Sequence, residues 1–198
     1  MMKIGMEINL VQLDIHLPSI TDIKLKLFEE MVGSFKNNED FKIECQGETI
    51  GISKAMLQSL SDVFRRMTTN GDNKEAVENS VKIDDTDPET IKELKTFVLD
   101  MENFDEPSLD LLMFANKYNI KPVTEYCKKY ITEKIDKDNI LDVIKVAYIT
   151  DADDLMKKSV EFLADNRNSL QNSEEWTNFQ KDHPMCFVKM MNLQMFPQ

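Results

Sequence analysis

With 198 residues, 41% of them apolar and 30% charged, the chain is long enough to bury a true core in one domain with a small appendage. No apolar run approaches the length of about 18 residues that a membrane helix needs, and the first residues lack the unbroken apolar stretch and cleavage site of a signal peptide, so a soluble, intracellular chain is expected, cytoplasmic or nuclear. Lys and Arg total 24 against 36 Asp and Glu, and the net charge of -12 repels nucleic acid and anionic lipid, which leaves protein as the expected class of partner.

In chain order, residues 4–17 alternate loosely, with Ile4, Met6, Ile8, Leu10, Leu13, Ile15 and Leu17 apolar, and predict one or two strands. From residue 22 the spacing changes: Ile23, Leu27, Phe28, Met31, Val32 and Phe35 mark an amphipathic helix with a wide stripe, capped by Thr21 or Asp22. Phe41, Ile43 and Cys45 alternate up to Gln46-Gly47, and Ile50 and Ile52 run back in phase, which reads as a hairpin. Ser53 and Ser61 can each cap a short helix, the first carrying Met56, Leu57 and Leu60, the second Val63, Phe64 and Met67.

Residues 68–80 are polar, contain Asn70-Gly71 and lack a period, so a mobile loop is expected there. Val81 and Ile83 then predict a brief strand. Asp87-Pro88-Glu89 and Pro107-Ser108 open two helices; Asn119 can stop the second of these and Pro122 open another. Further helices are expected after Asp138, after Asp151 or Asp153, after Ser173 and from Pro184, the last of them rich in Met. One strand segment, a helix, a hairpin, helices, a strand and then only helices make an α+β domain with a small sheet and a helical tail.

Chemistry is thinly represented. The five glycines form no phosphate-binding spacing, and His16 and His183 have no visible triad partners. Two acidic clusters, Asp136-Lys137-Asp138-Asn139 and Asp151-Ala152-Asp153-Asp154, lack the Gly and Glu of a calcium loop and are better read as helix caps. Cys45, Cys127 and Cys186 are too scattered for a metal clip and read as buried thiols. The Met-rich last helix and Trp176 are expected to fill a small tail core. No cofactor, metal or catalytic residue is expected.

Several strings resemble the BTB/POZ domain of the MATH-BTB (speckle-type POZ) adaptors: Asp40-Phe41, Lys54-Ala55-Met56-Leu57, Ser61 to Met67, Val81 to Asp85, and Ala115-Asn116-Lys117-Tyr118 with Cys127 downstream. Beyond them, Asn139 to Leu163 is similar to that family's 3-box helix pair, and Trp176 with His183-Pro184 resembles the end of its truncated BACK region. The resemblance implies a BTB/POZ fold over residues 21–133 and a helical 3-box/BACK-like extension over 134–198. It leaves residues 1–20 open between a remnant of a preceding MATH domain and a strand swapped between protomers.

The resemblance also implies a homodimer through Leu27, Met31, Phe35 and Met56, and contact with cullin-3 through Met67, Asn73, Glu75, Leu141, Tyr148 and Leu155, for delivery of an unidentified protein substrate to ubiquitination. The sequence departs from the family pattern at Asn73-Lys74-Glu75, which has the Glu of the loop motif without its apolar residue, at Ser53 in place of His, and at Leu99-Asp100-Met101. These departures favour an alternative, a self-association scaffold or decoy that recruits no ligase. A Skp1-like linker shares the fold, but the likeness from Asn139 to Pro184 argues for the adaptor branch.

Overall fold

The structure, a computed structural model, describes residues 19–100, 104, 106–170 and 173–195. The strands expected within residues 4–17, and Met101, lie outside the described residues. Helix α1 (Ile20–Lys36) follows the predicted apolar spacing but starts before Thr21, because the Ser19 carbonyl takes the first helical bond, 3.0 Å from the Ile23 amide.

Strands β1 (Phe41–Cys45) and β2 (Glu48–Ile52) form the expected hairpin, with Phe41 opposite Ile52 and Ile43 opposite Ile50. Gln46 and Gly47 link them with φ of 46° and 89°, the paired left-handed conformation that matches a two-residue turn to strand twist. Strict alternation sends Phe41, Ile43 and Cys45 into the core and leaves Lys42 and Glu44 outside. β3 (Ser80–Lys82) adds in parallel to β1, with Ile43 beside Val81, giving the order β2-β1-β3.

Between hairpin and third strand, α2 (Lys54–Leu60) and α3 (Asp62–Thr69) are capped by Ser53 and Ser61, whose hydroxyls accept from the Met56 and Phe64 amides. Ser61 Oγ also donates to the Tyr118 carbonyl, tying α3 to a helix more than fifty residues away. The expected loop over 68–80 is mostly regular. The Thr68 and Thr69 hydroxyls bond back to the carbonyls of Phe64 and Arg65 within α3, and Lys74–Glu78 forms a short helix, α4, ended by Asn79 at φ 50°. A five-residue helix is too short to show a period, so no sequence pattern could announce it.

The remaining elements are helical: α5 (Pro88–Leu99), α6 (Leu109–Lys117), α7 (Lys121–Glu133), α8 (Ile140–Ile149), α9 (Asp153–Leu170), α10 (Glu174–Asp182) and α11 (Pro184–Met195). Asp87, Ser108 and Ser173 cap α5, α6 and α10, each accepting from an amide three residues on. α6 ends as expected at Asn119, with φ 53° and the Ile120 amide returning to the Ala115 carbonyl at 2.7 Å.

One continuous apolar cluster runs from the sheet through α5, α6 and α7 into α8, α9 and the tail. Phe64 stacks on Tyr118 at 4.7 Å and Phe114 lies 4.5 Å from the same ring. Ile140, Ile144, Ala147 and Met156 are fully buried, so the helical extension shares its core with the preceding domain. In the tail, Trp176 meets the Phe187 ring edge-on at 5.6 Å and Met190 is fully buried, although Met185 faces outward. The two acidic clusters serve as turn and tether. Asp136 Oδ1 accepts from the Asp138 and Asn139 amides ahead of α8, while Asp151 and Asp153 hold Lys189.

Candidate protein-interaction surfaces

Apolar residues at three- and four-residue spacing make α1 a helix, and such a stripe is stable only when something covers it. The protomer covers it at one end. Val32 and Phe35 pack against the core, and the helix leans on α5, but Leu27 is 59% exposed, Phe28 53% and Met31 47%. Ile20, Ile23 and Leu25 are equally open, so one half-helix presents six large apolar side chains.

Of the four residues expected on a dimer face, Leu27 and Met31 are on this open side and Phe35 sits half-buried at its edge. Met56 is fully buried in the protomer's own core, because the Ser53 cap starts α2 in the orientation that turns Met56 and Leu57 inward. Ile20 keeps the stripe's spacing but precedes the start expected at Thr21 or Asp22, and Leu25 stands at the stripe's edge, which is why sequence reasoning passed over them.

A second feature is a cleft of about 570 Å³ where four segments meet: the β1–β2 turn at Gln46, the loop between β3 and α5, the outer side of α6 and the turn between α8 and α9. Met113 and Phe114 supply apolar lining and Ile149, 56% exposed, stands beside them. Asp85, Asp87, Asp110 and Lys117 add the charge. Lys117 Nζ reaches Asp85 Oδ2 at 2.5 Å, and that bond holds the Asp85 carboxyl below the ordinary aspartate range and raises the Lys117 ammonium. The Asp87 carboxyl is also lowered, chiefly by the Thr90 amide and then by the Thr90 hydroxyl, at 2.7 and 2.8 Å. Three carboxylates against one ammonium, beside exposed apolar surface, suit a partner segment carrying a basic residue next to an apolar one.

The expected cullin-contact residues are dispersed. Met67 and Asn73 are brought together at the end of α3, where Asn73 Nδ2 donates to the Met67 carbonyl, and Glu75 follows, half-buried, in α4. Leu141 and Tyr148 share α8, both partly buried against the core. Leu155 is 1% exposed and belongs to the core, since α9 turns it toward α8. Val77, the outward apolar residue of α4, is 68% exposed. Ile149 was missed because it lies off the stripe of α8, and an apolar residue off the stripe at a helix end was the available signal.

Among the described residues, no group of three His, Cys, Asp or Glu side chains is placed to hold a metal ion, and no helix is long and apolar enough to cross a membrane.

The profile of the BTB/POZ domain family matches residues 32–135. The protein maternal effect lethal 26 of Caenorhabditis elegans is 27% identical over 148 residues, covering 73% of this chain and 38% of that protein. A BTB/POZ domain-containing protein of Arabidopsis thaliana is 24% identical over 174 residues, covering 87% of this chain and 66% of its own length. The chain thus spans less than two thirds of either relative. Among solved structures, the BTB domain of zebrafish PATZ1 covers 60% of the chain and 98% of its own, with a TM-score of 0.45 at 14% identity. The BTB domain of human gigaxonin covers 58% and 95%, with a TM-score of 0.44 at 14% identity.

Proposed function

The chain belongs to the BTB/POZ domain family, and from that premise we propose that it is a homodimeric adaptor without chemistry of its own, which presents a bound protein to a cullin-3 ubiquitin ligase. The observation that carries the reading is the open apolar half of α1, from Ile20 to Met31. A second copy related by a two-fold axis would cover it with an identical stripe, the commonest way a surplus apolar face is buried. The adaptor role is supported by the likeness of Asn139 to Leu163 to the 3-box of the MATH-BTB adaptors, by Trp176 and His183-Pro184 after it, and by the cleft that the α8–α9 turn forms with α6.

Calorimetry of the full chain with purified cullin-3 amino-terminal domain tests the proposal. Saturable binding at one cullin domain per protomer is expected; no heat at micromolar concentrations overturns it. The second reading, a scaffold or decoy that dimerises without recruiting a ligase, draws on the α3–α4 junction. There Asn73 occupies the place of an apolar anchor and spends its side chain on the end of α3.

A further inference from the structure

The turn between α8 and α9 breaks a local rule. Thr150 closes α8, the Asp151 amide returns to the Tyr148 carbonyl at 3.4 Å and the Ala152 amide to the Ala147 carbonyl at 2.9 Å, a helix-ending motif whose left-handed residue is usually Gly. Here that residue is Asp151, at φ 51°. Asn and Asp tolerate this region better than other L residues, as Asn79 and Asn119 do at φ 50° and 53°, but the Asp151 carboxylate also has a partner outside the turn. Asp151 Oδ1 lies 3.0 Å from Lys189 Nζ on α11, Asp153 Oδ1 lies 3.1 Å from the same nitrogen, and the ammonium stands 5.9 Å from the centre of the Tyr148 ring. Beneath this bridge, Cys186 and Met190 sink α11 into the core, with Cys186 Sγ 3.7 Å from the Ile144 carbonyl of α8. The turn held on both sides is the one that carries Ile149 to the cleft.

We infer that Lys189 is a positioning residue for partner docking: it fixes the Tyr148–Asp153 turn against α11 so that Ile149 stands as a preformed wall of the cleft. The inference rests on the proposed adaptor role, and it adds to that role a residue that does not itself line the cleft. Both carboxylates are exposed and the Lys189 side chain is only half-buried, so the pairs stabilise the fold little and act on how firmly the turn is held. A wall already in place spares the partner the cost of ordering it.

Lys189→Met keeps the methylene stem and removes the charge; Lys189→Arg keeps both. Calorimetry with cullin-3 amino-terminal domain is run on the full-length wild type, Lys189→Met, Lys189→Arg, Ile149→Ala and the Ile149→Ala, Lys189→Met double variant. The expected result is binding about fivefold weaker in Lys189→Met at an unchanged melting temperature, restoration by Arg, and no further loss when Met is added to Ile149→Ala, because Lys189 acts through Ile149. Wild-type affinity in Lys189→Met, or a full additional loss in the double variant, overturns the inference. If the wild type itself does not bind, the adaptor proposal fails, and the positioning claim is read from hydrogen exchange of the Thr150, Asp151 and Ala152 amides. Exchange at least about threefold faster in Lys189→Met supports the claim, and equal rates overturn it.

Discussion

Asn73 closes the end of α3 on Met67: its side-chain amide donates to the Met67 carbonyl at 3.2 Å and to the Arg66 carbonyl at 3.2 Å, while its backbone opens α4. Two carbonyls that the helix would leave unpaired are thereby satisfied. Asn73→Ala should lower stability by about 1 kcal/mol, the usual worth of a lost cap, and Asn73→Met should do the same even though it supplies an apolar side chain. Urea denaturation of the two variants checks this; a midpoint equal to wild type in both would mean that water replaces the amide at no cost.

Self-association is expected through α1. The full chain should sediment as a dimer of about twice 23.0 kDa at micromolar concentration, and Leu27→Asp with Met31→Asp should yield a folded monomer. Both side chains are exposed in the protomer, so the charges harm the fold little, whereas in a dry interface each unpaired carboxylate costs on the order of several kcal/mol. A soluble double variant that remains dimeric removes this face from the account.

How much of this was legible beforehand depended on whether the signal was local. The Gln46-Gly47 hairpin and the caps at Ser53, Ser61, Asp87, Ser108 and Ser173 each depend on residues within a few positions of one another, so the sequence announces them. Burial is different. Leu27 and Met56 are both apolar residues on good stripes, and only tertiary packing leaves one open and the other at 0% exposure. The cleft joins Asp85, Asp110 and Ile149 from three separated segments, and no spacing rule connects them.

Acid below about pH 4 should loosen the start of α5. The Asp87 carboxyl is lowered, so its contribution to stability is complete above the unfolded aspartate pKa, near 3.9, and is lost as pH falls through the lower folded value. The Asp85 carboxyl, lowered by Lys117, adds in the same direction and the same window. Asp85 is exposed and Asp87 half-buried, so solvent screening keeps the effect modest. In thermal melts from pH 7 to pH 3, Asp87→Asn should lose less than wild type below about pH 4. Parallel curves would show that the Thr90 bonds do not distinguish carboxylate from acid.

The three thiols should be unreactive in the native chain. Burial pushes Cys127 up to about 12 and Cys186 up to about 11, and raises Cys45, whose Sγ also donates to the Thr86 carbonyl at 2.6 Å. The thiolate is the nucleophile, so at pH 8 a disulfide reagent should label none of them until the chain unfolds. Rapid modification of one cysteine in the native state would locate a local opening near it.

Dimerisation and partner docking should separate cleanly. The open residues of α1, Ile20 to Met31, share no member with the cleft lining, and substitutions at sites without common partners add independently. The Leu27→Asp, Met31→Asp monomer should therefore bind cullin-3 amino-terminal domain in solution within about twofold of the wild-type affinity. On a surface densely coated with that domain the outcome should differ. A dimer can engage two copies at once, so the wild type should leave at least about tenfold more slowly than the monomer, through avidity alone. Asp110→Lys reverses a charge on the cleft and should do the opposite, weakening the solution affinity for a basic partner segment while the protein still sediments as a dimer. If the monomer loses solution binding, docking involves the α1 face; if Asp110→Lys leaves it unchanged, the cleft is not the partner's site.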